Sequence, residues 1–255
     1  IAPPKSGVVC ELGFGQGITA NIHAAAQAGS SYWGTDFNPT QAKYARDLAE
    51  ISGADVHLFD QSFEEFCLRD DLPEFDHIGL HGIWSWISAE NRHIIVDFVR
   101  RKLKVGGVVY ISYNTQPGWA VGIPMRHLLA QHGATFGSPG QGSIGKVDGA
   151  FAFFEQFLAV NPAYIKANPQ VVERFEKLKT QNKSYVAHEY FNQHFEPMHF
   201  STICELLEQA KVVYASSAHL QDHFESVNFT PDQAAFLRSI PDRNFKETVR
   251  DMLSN

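Results

Sequence analysis

One stretch limits the folds open to this chain. Glu11-Leu-Gly13-Phe-Gly15-Gln-Gly17 lies directly between an apolar run, Gly7 to Leu12, and an alanine-rich helical pattern from Ile18 to Ala28. Glycines in alternate positions allow a tight turn and let a ligand approach the backbone where a Cβ would clash. The rhythm set by that turn continues down the chain. Tyr32 to Asp36 reads as a second strand, Asn38-Pro39 opens a helix running to about Ser52, and Ala54 to Asp60 reads as a third strand. Asp76 to His81 and Gly107 to Tyr113 follow as a fourth and a fifth, with helical spacing from Ala89 to Leu103 between them. Strands alternating with helices of this length predict βαβ units and a doubly wound, mostly parallel α/β sheet.

After Tyr113 the rhythm breaks. Gln116-Pro-Gly-Trp119 interrupts it, and the stretch from Gly133 to Gly149, rich in Gly, Ser and Pro, reads as a long loop of the kind that forms lids. Helical patterns then run from about Val147 to Val160, Pro169 to Gln181 and Ser184 to His194. Ser201 to Ala210 reads as a helix and Lys211 to Ser216 as a strand, a return to the earlier alternation. The expected organisation is an α/β domain over 1–119, a mostly helical insertion over 120–198, and a return to the α/β domain over 199–255. Phe151, Phe153, Phe154 and Phe157, at near-helical spacing, are expected to be core.

Composition narrows the functions. With 44% hydrophobic and 19% charged residues the chain is an ordinary globular one. Its net charge of −7 argues against non-specific nucleic-acid binding, which selects basic surfaces. No apolar run reaches the roughly 18 residues of a membrane span. Cys10, Cys67 and Cys204 are odd in number and far apart, so neither a disulfide framework nor a CxxC site is expected. A reducing, cytoplasmic setting follows. The first residue is Ile1 rather than Met, so an upstream segment is expected to have been removed. None of the 12 histidines has the H-E-x-x-H spacing of a zinc site, and no metal is assigned.

The glycine spacing separates two ligand classes. A dinucleotide fingerprint reads G-x-G-x-x-G and places a pyrophosphate at a helix N-terminus. Here the order is G-x-G-x-G with an acid, Glu11, just ahead, which suits a cation and repels a pyrophosphate. Asp36 closes the second strand, where a carboxylate can accept both hydroxyls of an adenosine ribose. Asp60, with Gln61 and Ser62 beside it, closes the third, where an adenine amino group would fall. Each signal alone has a plain reading as a turn or a helix cap; together they mark successive strand ends, where doubly wound sheets bind ligands. The arrangement resembles the class I S-adenosylmethionine (SAM) methyltransferases. That resemblance implies a Rossmann-like sheet, SAM as cofactor and S-adenosylhomocysteine (SAH) as product. It also implies ligand contacts from Glu11, Gly13, Phe14, Gly15, Gly17, Asp36, Phe37, Asp60, Gln61, Ser62, His81 and Gly82.

Two longer strings sharpen the likeness. His81-Gly-Ile-Trp-Ser-Trp86 and Ser112-Tyr-Asn-Thr-Gln-Pro-Gly-Trp119, with Ala187-His-Glu-Tyr190 further on, resemble bacterial methyltransferases that carry a methyltransferase regulatory domain. That group includes protein-lysine methyltransferases acting on outer-membrane proteins. The resemblance implies a helical partner region, additional sequence before the first strand and a last strand beyond Asn255.

Methyl transfer is an in-line displacement, and alignment of the two reactants can supply about 7–11 kcal/mol of the barrier reduction. A lysine acceptor, with a reference pKa near 10.4, must also lose its proton, which a desolvated aromatic pocket favours. Trp86, Tyr113, Asn114, Trp119 and Tyr190 are the candidates for the acceptor side. No catalytic residue is assigned; His81, Tyr113 and Asn114 are the candidates. Trp84 reads more simply as filling a domain interface. A protein lysine, a small-molecule amine or hydroxyl, and a SAM-binding module without turnover all stay open as readings. A nicotinamide-dependent oxidoreductase does not fit the glycine spacing.

Overall fold

The computed structural model describes residues 6–138, 140 and 142–254. It divides into two compact units, one running to Asn114 and resuming at Met198, the other spanning Thr115–Pro197. The break therefore falls at Thr115, five residues before the expected boundary.

The first unit opens with the predicted alternation: β1 (Val8–Leu12), α1 (Ile18–Ala26), β2 (Ser31–Thr35), α2 (Pro39–Ser52), β3 (Val56–Phe59), α3 (Phe63–Cys67), β4 (Phe75–Leu80), α4 (Ala89–Lys102) and β5 (Leu103–Ile111). Local chemistry fixes the helix starts. Asn38 caps α2 through the amides of Thr40 and Gln41, with Pro39 in the first turn. Ser62 and Glu65 form a capping box on α3. The strands make one parallel sheet in the order β3-β2-β1-β4-β5. That order reverses direction between β1 and β4, and the crevice outside the carboxyl ends of those strands is where such sheets take ligands. β5 begins earlier than the sequence suggests. Leu103 already pairs with Phe75, and the chain bulges at Gly106 (φ +84°) before Val108 pairs with His77.

Alternation sorts the strand side chains onto two faces. Cys10, Leu12, Ile78 and Leu80 point into the larger core with Phe66, Phe75, Trp84 and Phe98, and Trp33, Val109, Ile111 and Tyr113 pack against it. The opposite face meets α1 and α2 through a smaller cluster of Phe14, Ala20, Ala42, Ala45 and Leu58. Glu11 lies on this second face.

The returning segment is helical: α11 (Phe200–Glu208), α12 (Glu225–Asn228), α13 (Pro231–Arg238) and α14 (Arg243–Ser254). The strand expected over Lys211–Ser216 does not form. Lys211 takes a left-handed turn (φ 58°), Val213 is 90% exposed, and no described strand lies beside them to complete a ladder.

The second unit holds α5 (Gln116–Trp119), α6 (Ile123–Phe136), α7 (Gly142–Ala159), α8 (Ala163–Ala167), α9 (Gln170–Lys179) and α10 (Lys183–Phe191). Its core is Met125, Leu129, Val147, Ala150, Phe154, Val171, Phe175 and Tyr190, with Phe151 and Phe157 packed against it. Phe153 stacks on His132 at 4.8 Å. The loop expected from Gly133 to Gly149 is thus mostly the end of α6 and the start of α7; Pro139 and Gln141, within it, lie outside the described residues. Gly133 and Gly137 serve close packing. A Cβ on Gly133 would lie 2.8 Å from the Phe191 ring.

Candidate functional site

The turn after β1 brings together most of the residues singled out from sequence. Gly13, Gly15 and Gly17 all have positive φ, at 73°, 57° and 65°. Their roles differ. A Cβ on Gly13 would meet Ile83 at 2.7 Å and one on Gly17 would meet the Ala45 Cβ at 2.5 Å, so both glycines serve the fold's own packing. A Cβ on Gly15 would meet the Gln41 Oε1 at 3.7 Å and nothing nearer, which leaves space above this backbone. Phe14 is buried beneath the turn in the smaller cluster.

Asp36, at the end of β2, holds the turn in place. Its Oδ2 accepts from the Gly15 amide at 2.8 Å and its Oδ1 from the Asn38 amide at 2.9 Å. Beside it Phe37 is 78% exposed, an aromatic face with no burial of its own. At the end of β3, Asp60 is exposed and 3.5 Å from Arg46. Gln61 accepts from the Thr35 hydroxyl through its carbonyl, and its side chain accepts from Arg69 at 3.3 Å. The Ser62 hydroxyl is taken up by the α3 cap, accepting from the Glu65 amide and donating to its carboxylate.

Glu11 is the electrostatic centre of this edge. In register it sits between Gly34 of β2 and Gly79 of β4. Glycine thus stands on both flanks of Glu11, with the space beside Gly34 bordered by Phe14 and Leu58 and that beside Gly79 by His77. Burial pushes the Glu11 carboxyl up to about 7, because the charged form loses hydration without gaining a cation. Those two glycines were not singled out from sequence. Their signal is the position of Gly34 two residues before Asp36 and of Gly79 two before His81.

At the end of β4, His81 is exposed and its Nδ1 lies 3.2 Å from the Tyr110 hydroxyl and 3.3 Å from the Ser112 hydroxyl. Gly82 (φ +70°) has open space around it, and its amide donates to Ser112 Oγ at 2.7 Å. A 3₁₀ turn, Trp84–Trp86, follows, with both tryptophans buried. Trp84 is a member of the larger core. The buried Arg92 donates to the carbonyls of Trp84 and Ile87, and the Asn114 amide donates to Ser85 Oγ, so the turn is tied on both sides.

The acceptor-side candidates fall in both units, Trp86, Tyr113 and Asn114 in the first and Trp119 and Tyr190 in the second. Tyr113 falls on the sheet face away from Glu11, one residue out of phase with Ser112. Burial, with Asp251, Cys204, Tyr214 and Glu247 nearby, pushes its hydroxyl well above the usual tyrosine range. Asn114 accepts through its carbonyl from the Met198 amide. Trp119 and Tyr190 belong to the helical unit, their rings 5.8 Å apart, with the Arg174 guanidinium 4.1 Å over the Trp119 ring and Phe195 edge-on at 4.7 Å. His188 is exposed beside Glu189 at 3.7 Å. Among the described residues no three His, Cys, Asp or Glu side chains converge as metal ligands would, and no helix is long and apolar enough to cross a membrane.

The model of the methyltransferase domain family matches residues 9–107, which run from β1 into β5. The chain carries a methyltransferase domain. A second model, the predicted methyltransferase regulatory domain, matches residues 182–255. Nearly the whole of this chain resembles an uncharacterised Synechocystis protein, at 44% identity over 96% of this chain and 48% of that protein. A Rickettsia prowazekii protein, also uncharacterised, is 26% identical over 75% of each chain. Among solved structures, PKMT2 from Rickettsia typhi in complex with AdoHcy superposes over the whole chain with a TM-score of 0.80 at 22% identity, covering 48% of that protein. The fold is thus the Rossmann-like class I type. The chain spans about half the length of the Synechocystis relative and of PKMT2.

Proposed function

We propose that this chain binds SAM across the carboxyl ends of β1, β2, β3 and β4 and directs its methyl group to a nucleophilic acceptor. A protein lysine is the acceptor that the sequence resemblance supplies. The observation that carries the reading is Glu11, a half-buried acid at the head of a glycine turn with a glycine on each neighbouring strand. Such a carboxylate is stabilised when a cation arrives and is repelled by a pyrophosphate. When bound, SAM supplies an electrophilic methyl group on a positively charged sulfur. The chain's own residues bind and orient. Glu11 would offer the negative charge, Gly15 leaves room for close approach, and Asp36, which fixes the turn, would accept from the ribose hydroxyls. The exposed Phe37 ring and Asp60 would hold the nucleoside end. The three cysteines are free, which fits the cytoplasmic setting proposed here.

Calorimetric titration of the folded chain with SAH, with NAD as control, tests this reading. Stoichiometric SAH binding that weakens in Glu11→Gln and Asp36→Ala is the expected result. Binding of NAD in place of SAH would overturn it. Incorporation of a labelled methyl group, compared between protein lysines and small amines, then identifies the acceptor.

A further inference from the structure

His81 stands at the end of β4, on the ligand side of the sheet. Glu11 pairs with Gly79, so His81 follows two residues later on the same face as Glu11. Tyr110 pairs with Gly79 from the other side, and Ser112 follows it by the same step. Four polar side chains from three adjacent strands thus share one face at the switch point of the sheet.

Their hydrogen bonds have a direction. Ser112 Oγ already accepts from the Gly82 amide at 2.7 Å, which leaves its own hydrogen to donate. Both this hydroxyl and that of Tyr110 aim at His81 Nδ1, at 3.3 Å and 3.2 Å. A phenol is a better donor than acceptor, because its lone pair is delocalised into the ring. A hydrogen on Nδ1 would place a second N–H on Ser112 Oγ and leave the Tyr110 hydrogen unused. With the Gly82 amide already on Ser112 Oγ, this network favours Nδ1 as the acceptor of one hydroxyl hydrogen, with the ring hydrogen on Nε2. The imidazole stacks on the Tyr110 ring, 14° from parallel, which holds its plane. Nε2–H then points away from the pair, from an exposed residue beside the open space at Gly82.

We infer that Tyr110 and Ser112 are positioning residues that hold His81 as an outward Nε2–H donor, so that His81 and Glu11 together grip a zwitterionic amino-acid group, carboxylate on His81 and ammonium on Glu11. This rests on the reading that SAM binds at this edge. It predicts that affinity for the amino-acid end of the ligand, but not for the nucleoside, depends on the hydroxyl pair of Tyr110 and Ser112.

Two measurements test it. Long-range proton–nitrogen spectra of the neutral histidines in the ligand-free protein report the tautomer directly. His81 is expected to show an acceptor-type Nδ1 and a protonated Nε2, with the balance shifting in the Tyr110→Phe, Ser112→Ala double variant. Calorimetry then compares SAH with 5′-methylthioadenosine, which lacks the amino-acid group. The double variant and His81→Asn should lose roughly tenfold or more in SAH affinity, the scale of one hydrogen bond to a charged group, with 5′-methylthioadenosine unchanged. His81→Gln, whose amide nitrogen reaches near the Nε2 position, should retain most of the SAH affinity. Circular dichroism confirms that each variant is folded. A protonated Nδ1 in the spectrum, or equal losses for both ligands, overturns the inference. A folded wild-type chain that binds neither ligand overturns the SAM reading itself, an outcome the tautomer spectrum keeps distinct.

Discussion

Glu11 makes ligand binding a proton-linked event. Its carboxyl titrates at about 7 in the ligand-free protein, and a cationic ligand prefers the ionised form. Affinity for SAM should fall about tenfold for each pH unit below 7 and level off above it. Calorimetry in buffers of different ionisation enthalpy should register proton release on binding near neutrality, and Glu11→Gln should abolish both effects. The stability of the free protein runs the other way. With the folded-state pKa raised above that of the unfolded chain, this group costs nothing below about 4.5 and progressively destabilises the fold as pH rises through 7. Asp36 offers a contrasting case, since both of its oxygens accept backbone amides. Asp36→Asn leaves one of those amides facing an NH₂ group and should cost about 1–3 kcal/mol in urea unfolding even without ligand. Both acids were legible in sequence, because a carboxylate at a strand end beside a glycine turn has few uses. Tyr113 was not placed well, because strand parity decides its face and the sequence pattern left the phase of β5 open by a residue.

Among the elements, the turn between β1 and α1 separates packing from recognition. Gly17→Ala combines a left-handed backbone with a 2.5 Å approach to Ala45 and should destabilise by about 2–4 kcal/mol on denaturant unfolding. Gly15→Ala meets no such neighbour. It should cost about 1 kcal/mol in stability for its positive φ and lose SAH binding more severely than stability, read by calorimetry alongside the same denaturation curve. The α/β alternation was readable because strand and helix periods differ so clearly up to residue 111. The stretch from Gly133 to Gly149 was not, since glycines that admit a neighbouring helix look the same in sequence as glycines that free a loop. Only the contact of Gly133 with Phe191 tells the two apart. Val212 and Val213 likewise supply a strand's composition without a partner strand, and strand pairing is a non-local property.

On the scale of the whole molecule, the first unit is closed by a helix with acids on its inner side. Burial and the nearby Glu247 push the Asp251 carboxyl up to about 6, and Glu247 in turn accepts from the Tyr214 hydroxyl. His199 and Arg250 act in the opposite sense. Because the folded-state pKa is raised, the docking of α14 should weaken as pH rises through 6. Protection of its amides, with the intrinsic pH dependence of exchange divided out, should fall between about pH 4 and pH 6 and level off above, and Asp251→Asn should remove most of that fall. The sequence shows a change of character after Tyr113 and leads to an expected return at residue 199, and the first unit resumes at Met198. The rejoining is marked by a single contact, in which the Met198 amide donates to the carbonyl of Asn114. Departure and return thus occur at one point of the sheet's edge. A segment whose two ends meet at neighbouring residues can be lengthened, shortened or exchanged without shifting any strand. The sheet unit and the helical unit can therefore diversify at separate rates, with the exchange point fixed beside β5.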